Sequence, residues 1–162
     1  MTDTEWCRQK ENARVDEAKL NEPTLALLAG ISKEKGVEHY KIFEKSVNIA
    51  KFKEWLTGLR DVTGDDKVAL FMDQLSVHTS EQAKKHMREL GFRWIYNAAY
   101  SPEYNPIELV FSKVKQKFKV LRARKLTGQI QDDHASMVHQ AVQCVRKKDV
   151  TNCIEHVNKL LK

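Results

Sequence analysis

A mixed α/β fold, in which helices pack on a sheet, follows from three features of this sequence. Two apolar runs, Thr24–Ser32 and Lys67–Asp73, have strand length and are too short for buried helices. Other stretches repeat apolar residues at steps of three and four, as amphipathic helices do. A helical stretch joins the strand at Val68 to the strand at Phe92, and such a crossover makes the two strands parallel and right-handed.

The elements follow in order. Residues 1–22 are charged, lack periodicity and form a poorly defined N-terminal segment. "TLALLAGIS" reads as a buried strand, "KEKG" as a turn, and "VEHYKIFEKS" as an alternating strand paired with the first. Asn48 caps a helix to about Arg60, with Ile49, Phe52, Trp55, Leu56 and Leu59 on one face. "KVALFMD" carries a continuous apolar run from Val68 to Met72, which predicts a strand covered on both faces. A helix capped by Thr79 or Ser80 and stopped at Gly91 leads to the strand "FRWIYNAA". Asn105 starts a basic helix whose residues Ile107, Val110, Phe111, Val114, Phe118 and Leu121 form its packing face. Residues 127–162 predict a helical extension with a break near Lys148–Asp149, so the main domain is expected over residues 23–126.

Composition narrows the function classes. The chain has 162 residues and 31% charged residues, as a globular domain with one core does. The longest apolar runs, such as Leu25–Ala29, fall far short of the roughly 20 residues that span a bilayer, and the polar start "MTDTEWCRQK" predicts no secretory signal. Cys7, Cys144 and Cys153 form no CxxC pair, which argues against a zinc site and a disulfide framework. The net charge is +6, and Lys113, Lys115, Lys117, Lys119, Arg122, Arg124 and Lys125 fall in a stretch with no acid between Glu108 and Asp132. Such a run is either a solvated face or a phosphate-binding surface.

Three residues carry candidate chemistry. Asp73 ends the most apolar strand, and sites in open α/β sheets gather at carboxyl ends of strands. An Asp there also serves as a plain turn cap. Glu108 is the third residue of a helix that opens Asn105-Pro106-Ile107, so a capping box accounts for it equally well. His78 lies five residues past Asp73, where a lone histidine needs no role.

Together, "FMDQLSVH" and "YSPEYNPIE" resemble the catalytic domain of Asp-Asp-Glu transposases of the mariner superfamily and its insertion-sequence relatives. In that family the second Asp stands in a hydrophobic-Asp-Asn-x-x-x-His motif and the closing acid in Ser-Pro-Asp-x-Asn-Pro-Ile-Glu. Asp73, His78 and Glu108 match these positions, and positions 74–107, 34 residues, separate the two acids, as is usual in the family. Gln74 replaces the common Asn, and Glu103 and Tyr104 replace Asp and Leu. The resemblance implies an RNase H-like mixed sheet flanked by helices. It also implies Mg²⁺- or Mn²⁺-dependent DNA cleavage and strand transfer in DNA transposition, with Asp73 and Glu108 as metal ligands and His78 in support. Lys113, Lys115, Lys117, Lys119, Arg122 and Arg124 become candidate DNA contacts. Partners would be DNA and a possible second copy, with no membrane, in the nucleus of a eukaryote or the cytoplasm otherwise.

The family's first Asp is the point of departure. It lies on the first strand of the sheet, further ahead than the 72 residues preceding Asp73 allow, and Asp16-Glu17 is the sole Asp-Glu pair upstream of Asp73. Its surroundings, "RQKENARV", make a poor buried strand. The first strand and first Asp are therefore expected to be missing, and the alternative function is a catalytically inactive, transposon-derived module that binds nucleic acid or protein.

Overall fold

The computed structural model describes residues 24–161, so the expectations for residues 1–22, Cys7 and the Asp16–Glu17 pair lie outside the described residues. Strands β1 (Leu25–Ser32) and β2 (Gly36–Glu44) form an antiparallel hairpin, with Leu27 opposite Ile42. Gly36 has φ +88°, and a Cβ there would stand 2.9 Å from the Cα of Lys147, so both the turn and the close approach of a later helix require glycine.

Helix α1 (Ile49–Thr63) starts as expected, with the Lys51 N–H donating to Asn48 Oδ1 at 2.9 Å. Its buried residues Phe52, Trp55, Leu56 and Leu59 form one core with Phe43, Ala83, Met87 and Phe92. Leu28 of β1, Leu70 and Met72 of β3 (Ala69–Met72) and Trp94 of β4 (Arg93–Tyr96) pack against the same core, so α1 backs both strand pairs. Truncating the fully buried Leu56 to Ala would cost about 2–5 kcal/mol.

Strands β3 (Ala69–Met72) and β4 (Arg93–Tyr96) are parallel, as the crossover demands, with Phe71 opposite Ile95. Helices α2 (Ser76–Thr79) and α3 (Glu81–Glu89) form the connection between them. The segment after the Asp73 turn, which carries His78, takes one helical turn in α2.

Two expectations are corrected. The described strands form two separate two-stranded sheets rather than one mixed sheet. Among the described residues the β3–β4 pair is also covered on one face only: Phe71 is 47% exposed and Ile95 is 62% exposed, while α4 to α6 pack on the hairpin.

Helix α4 (Pro106–Leu126) packs its Val114 and Leu121 with Met137, Ala141 and Val142 of α5 (His134–Gln143), against Leu27, Val37 and Tyr40 of the hairpin. Val110 forms a smaller core with Val150 and Cys153 of α6 (Lys147–Leu160). The break between α5 and α6 comes at residues 144–146, a few residues before the expected place. Asp149 is the third residue of α6: its side chain accepts from the Arg146 N–H, the acidic half of a capping box, so the helix must begin ahead of it. No helix among the described residues is long and apolar enough to cross a membrane.

Candidate active site

The parallel β3–β4 pair sets both chain exits at one edge. Asp73 follows the last residue of β3 and Asn97 the last residue of β4. The Asn97 N–H donates to Met72 O at 2.8 Å, and the Gln74 side chain donates to Asn97 O at 2.9 Å. Asn97 is only 6% exposed, and its side chain donates to Ser101 O at 2.6 Å. This chain of hydrogen bonds ties the Asp73 segment to the segment that leads into Glu108. Buried polar groups are worth most when fully paired, so the arrangement fixes the edge.

The two carboxylates are not used as caps. Asp73 Oδ1 accepts from His78 Nδ1 at 2.6 Å, and the N-terminus of α2 takes no side-chain cap from it. Because a carboxylate only accepts, the His78 proton sits on Nδ1, which leaves Nε2 facing away from the pair. The His78 ring lies 4.7 Å from the Phe52 ring, and Tyr96 Oη donates to His78 O at 2.9 Å. His78 is thus held from three sides, and its side chain is 14% exposed while that of Asp73 is 43% exposed.

Glu108 sits in the first turn of α4, but the capping-box partner it would need is taken. The Asn105 N–H donates to Pro102 O at 2.9 Å, inside a 3₁₀ turn (Pro102–Tyr104), and the Asn105 side chain accepts from the Ile107 N–H at 3.3 Å. The N-terminus of α4 is therefore closed by Asn105 alone, and the Glu108 carboxylate is exposed and uncommitted to it. The oxygens of Asp73 and Glu108 are hard donors of the kind Mg²⁺ prefers, and Asp73 Oδ2 is spared by the single bond from His78. Among the described residues, no group of three or more His, Cys, Asp or Glu gathers as a metal-holding cluster.

The basic residues of α4 divide into two stripes. At 3.6 residues per turn, Glu108, Lys115 and Lys119 fall within about 40° of one another. Lys113, Lys117 and Arg124 fall on the opposite flank of the buried Val110–Val114–Leu121 stripe. Lys115 and Lys119 are exposed. Lys113 instead reaches Asp149 of α6 at 3.7 Å. Arg122 is half-buried and, like Lys125, is engaged with neighbours. Sequence reasoning did not separate the stripes, and it overlooked Gln74, Asn97, Phe52 and Tyr96 as positioning residues. A buried Asn just past a strand was the available signal.

The candidate site thus comprises a carboxylate at the end of a parallel strand pair, a second on the following helix, and exposed lysines on the flank of that helix that carries Glu108. The chain belongs to the DDE superfamily endonuclease family, whose pattern it matches over residues 3–131. Among solved structures it resembles the Mos1 transposase catalytic domain with raltegravir and Mg, at TM-score 0.61 and 19% identity, over 83% of this chain and 68% of that one. The catalytic domain of the Mos1 mariner transposase gives TM-score 0.57 at 19% identity, over 83% and 67%. The Mos1 paired-end complex with the left transposon end gives 0.53 at 17%, over 85% and 44%. At these identities the likeness establishes the fold, that of RNase H-like transposase catalytic domains. No curated protein sequence matches the chain.

Proposed function

We propose that the chain is the catalytic domain of a mariner-type transposase, acting in metal-dependent cleavage and strand transfer of DNA, and that Asp73 and Glu108 hold the metal. What supports this reading is Asp73 at the end of the parallel pair, tied through Gln74 and Asn97 to the segment that leads into Glu108, with neither carboxylate spent on capping. A bound pair of Mg²⁺ ions would stabilise the attacking and leaving oxygens of the phosphodiester. The chain's own residues do the rest. His78 orients the Asp73 carboxylate through Nδ1 and leaves Oδ2 available. Gln74 and Asn97 fix the two segments relative to each other. Lys115 and Lys119, about 6 Å apart along the axis of α4, hold phosphates of the strand that enters past Glu108.

A second reading, a DNA-binding module without catalysis, is favoured by one observation: the described residues offer two carboxylates where the family uses three. The two readings share a fold and differ in metal dependence. Binding of Mn²⁺, followed by the loss of its free-ion EPR signal on titration, tests the first. Asp73→Asn and Glu108→Gln should each weaken binding by at least about tenfold, and the double variant should lose less than the product of the two, because both act on one site. Binding that survives both substitutions removes the proposal.

A further inference from the structure

The second stripe of α4 borders a feature that a DNA-gripping face does not explain. Lys113, Lys117 and Val120 of α4 form one wall of a groove of about 320 Å³, whose other side is Ala141, Val145 and Asp149. Val120 is 47% exposed, so the groove has an apolar floor open to solvent. Its rim is cationic. Arg146, with its side chain 79% exposed, and the exposed Lys148 stand at the start of α6, where positive charge opposes the helix dipole. The one acid in the groove, Asp149, is already engaged by Arg146 and Lys113. Neither Asp73 nor Glu108 lines this groove.

A matching surface lies on the same molecule. The last turn of α1 and the loop after it expose Asp61, Val62, Asp65 and Asp66, with Val62 46% exposed. The loop is stiff: Arg60 donates to Gly64 O at 2.7 Å and to Asp66 O at 3.0 Å, and its guanidinium lies 4.0 Å from the Phe92 ring centroid. Thr63, buried beneath, donates to Leu59 O at 3.0 Å. An acidic knob with an apolar tip, held rigid, repels DNA and has no use in the proposed reaction.

We propose that the groove between α4 and the α5–α6 turn receives the Asp61–Asp66 loop of a second copy of this chain, with Val62 on the apolar floor and the carboxylates facing Lys113 and Lys117. Charge complementarity selects this occupant: the groove lacks free acids, the loop supplies three, and each side has one apolar contact. Phosphate alone would have no need of the floor. The contact is small for an interface, so association is weak and salt-sensitive.

The test is sedimentation velocity of the full chain at about 100 µM and 50 mM salt, without DNA or metal. The wild-type chain should associate reversibly and return to monomer at high salt. Lys117→Glu, which spoils the groove, and Asp65→Lys, which spoils the loop, should each lose association by at least about tenfold. An equimolar mixture of the two variants should associate again, because the intact groove of one meets the intact loop of the other; that recovery also shows that both variants are folded. A wild-type chain that stays monomeric, variants that associate like wild type, or a mixture that stays monomeric overturns the proposal. So does a Lys117→Glu variant that loses DNA affinity while keeping self-association, since the groove would then belong to DNA.

Discussion

The division of the α4 lysines into two stripes makes a quantitative prediction about DNA binding. Lys115 and Lys119 share a flank with Glu108 and are exposed, whereas Lys113 is paired with Asp149 and Lys117 borders the groove. A contact with one phosphate contributes about −0.9 to the slope of log K against log salt. Replacing Lys115 and Lys119 by Ala removes two such contacts and flattens the slope by about 1.8. Over a fourfold rise in salt, from about 50 to 200 mM, that is about a 12-fold smaller loss of affinity than the wild-type chain suffers. Replacing Lys113 and Lys117 should change the slope by well under one unit. The assay is fluorescence anisotropy of a labelled random-sequence duplex at five salt concentrations, with both double variants and wild type measured side by side. Equal slope changes in the two variants, or a larger change for Lys113 and Lys117, would refute the division of labour on this helix.

The remaining expectations concern stability and turnover. Gly58→Ala should destabilise the chain by about 1 kcal/mol in urea titration: the helix gains about 1 kcal/mol from alanine, but the new Cβ would sit 2.7 Å from His39 Nε2, an overpacking that costs about 1–3 kcal/mol. In a His39→Ala background the same change should instead stabilise. Burial, reinforced by Lys41 and opposed by Asp61, holds the His39 ring below the ordinary histidine value of 6.5. The unfolded chain therefore takes up this proton first, and the stability it contributes above pH 6.5 is lost as pH falls below 6.5 toward the folded-state value. Urea midpoints between pH 7 and 5 should drop less for His39→Gln than for wild type, and parallel curves would exclude the histidine as the cause. Nicking of supercoiled plasmid with Mg²⁺ or Mn²⁺ separates the two readings: a catalytic domain nicks and its Asp73→Ala variant does not, whereas a binding module leaves parent and variant alike.

Much of the architecture was legible because local rules and tertiary packing agreed. The crossover between Val68 and Phe92 forced the parallel pair, and the Asn48 and Asn105 caps located two helix starts. Asp73, His78 and Glu108 stood out through spacing, and the Asp73–His78 bond gives the histidine a partner. Other features depended on distant partners. Whether β3 would be covered on both faces turned on where α4 to α6 dock, and their apolar residues match the hairpin's Leu27, Val37 and Tyr40. Whether Glu108 caps its helix turned on Pro102, whose carbonyl takes the Asn105 N–H first. The two lysine stripes were present in the spacing, but without Asp149 nothing distinguished the flank that faces protein from the flank that faces solvent.

The central claim, that Asp73 and Glu108 share one metal site, is tested most directly by iron-directed cleavage of the polypeptide. Fe²⁺ substituted for Mg²⁺, with ascorbate and peroxide, generates hydroxyl radicals that cut the backbone near the ion. Mass spectrometry of the fragments should show cuts clustered near both Asp73 and Glu108, suppressed by excess Mg²⁺ and absent together in Asp73→Asn. Cuts near only one of the two, or cuts at Glu108 that persist in Asp73→Asn, would contradict a shared site.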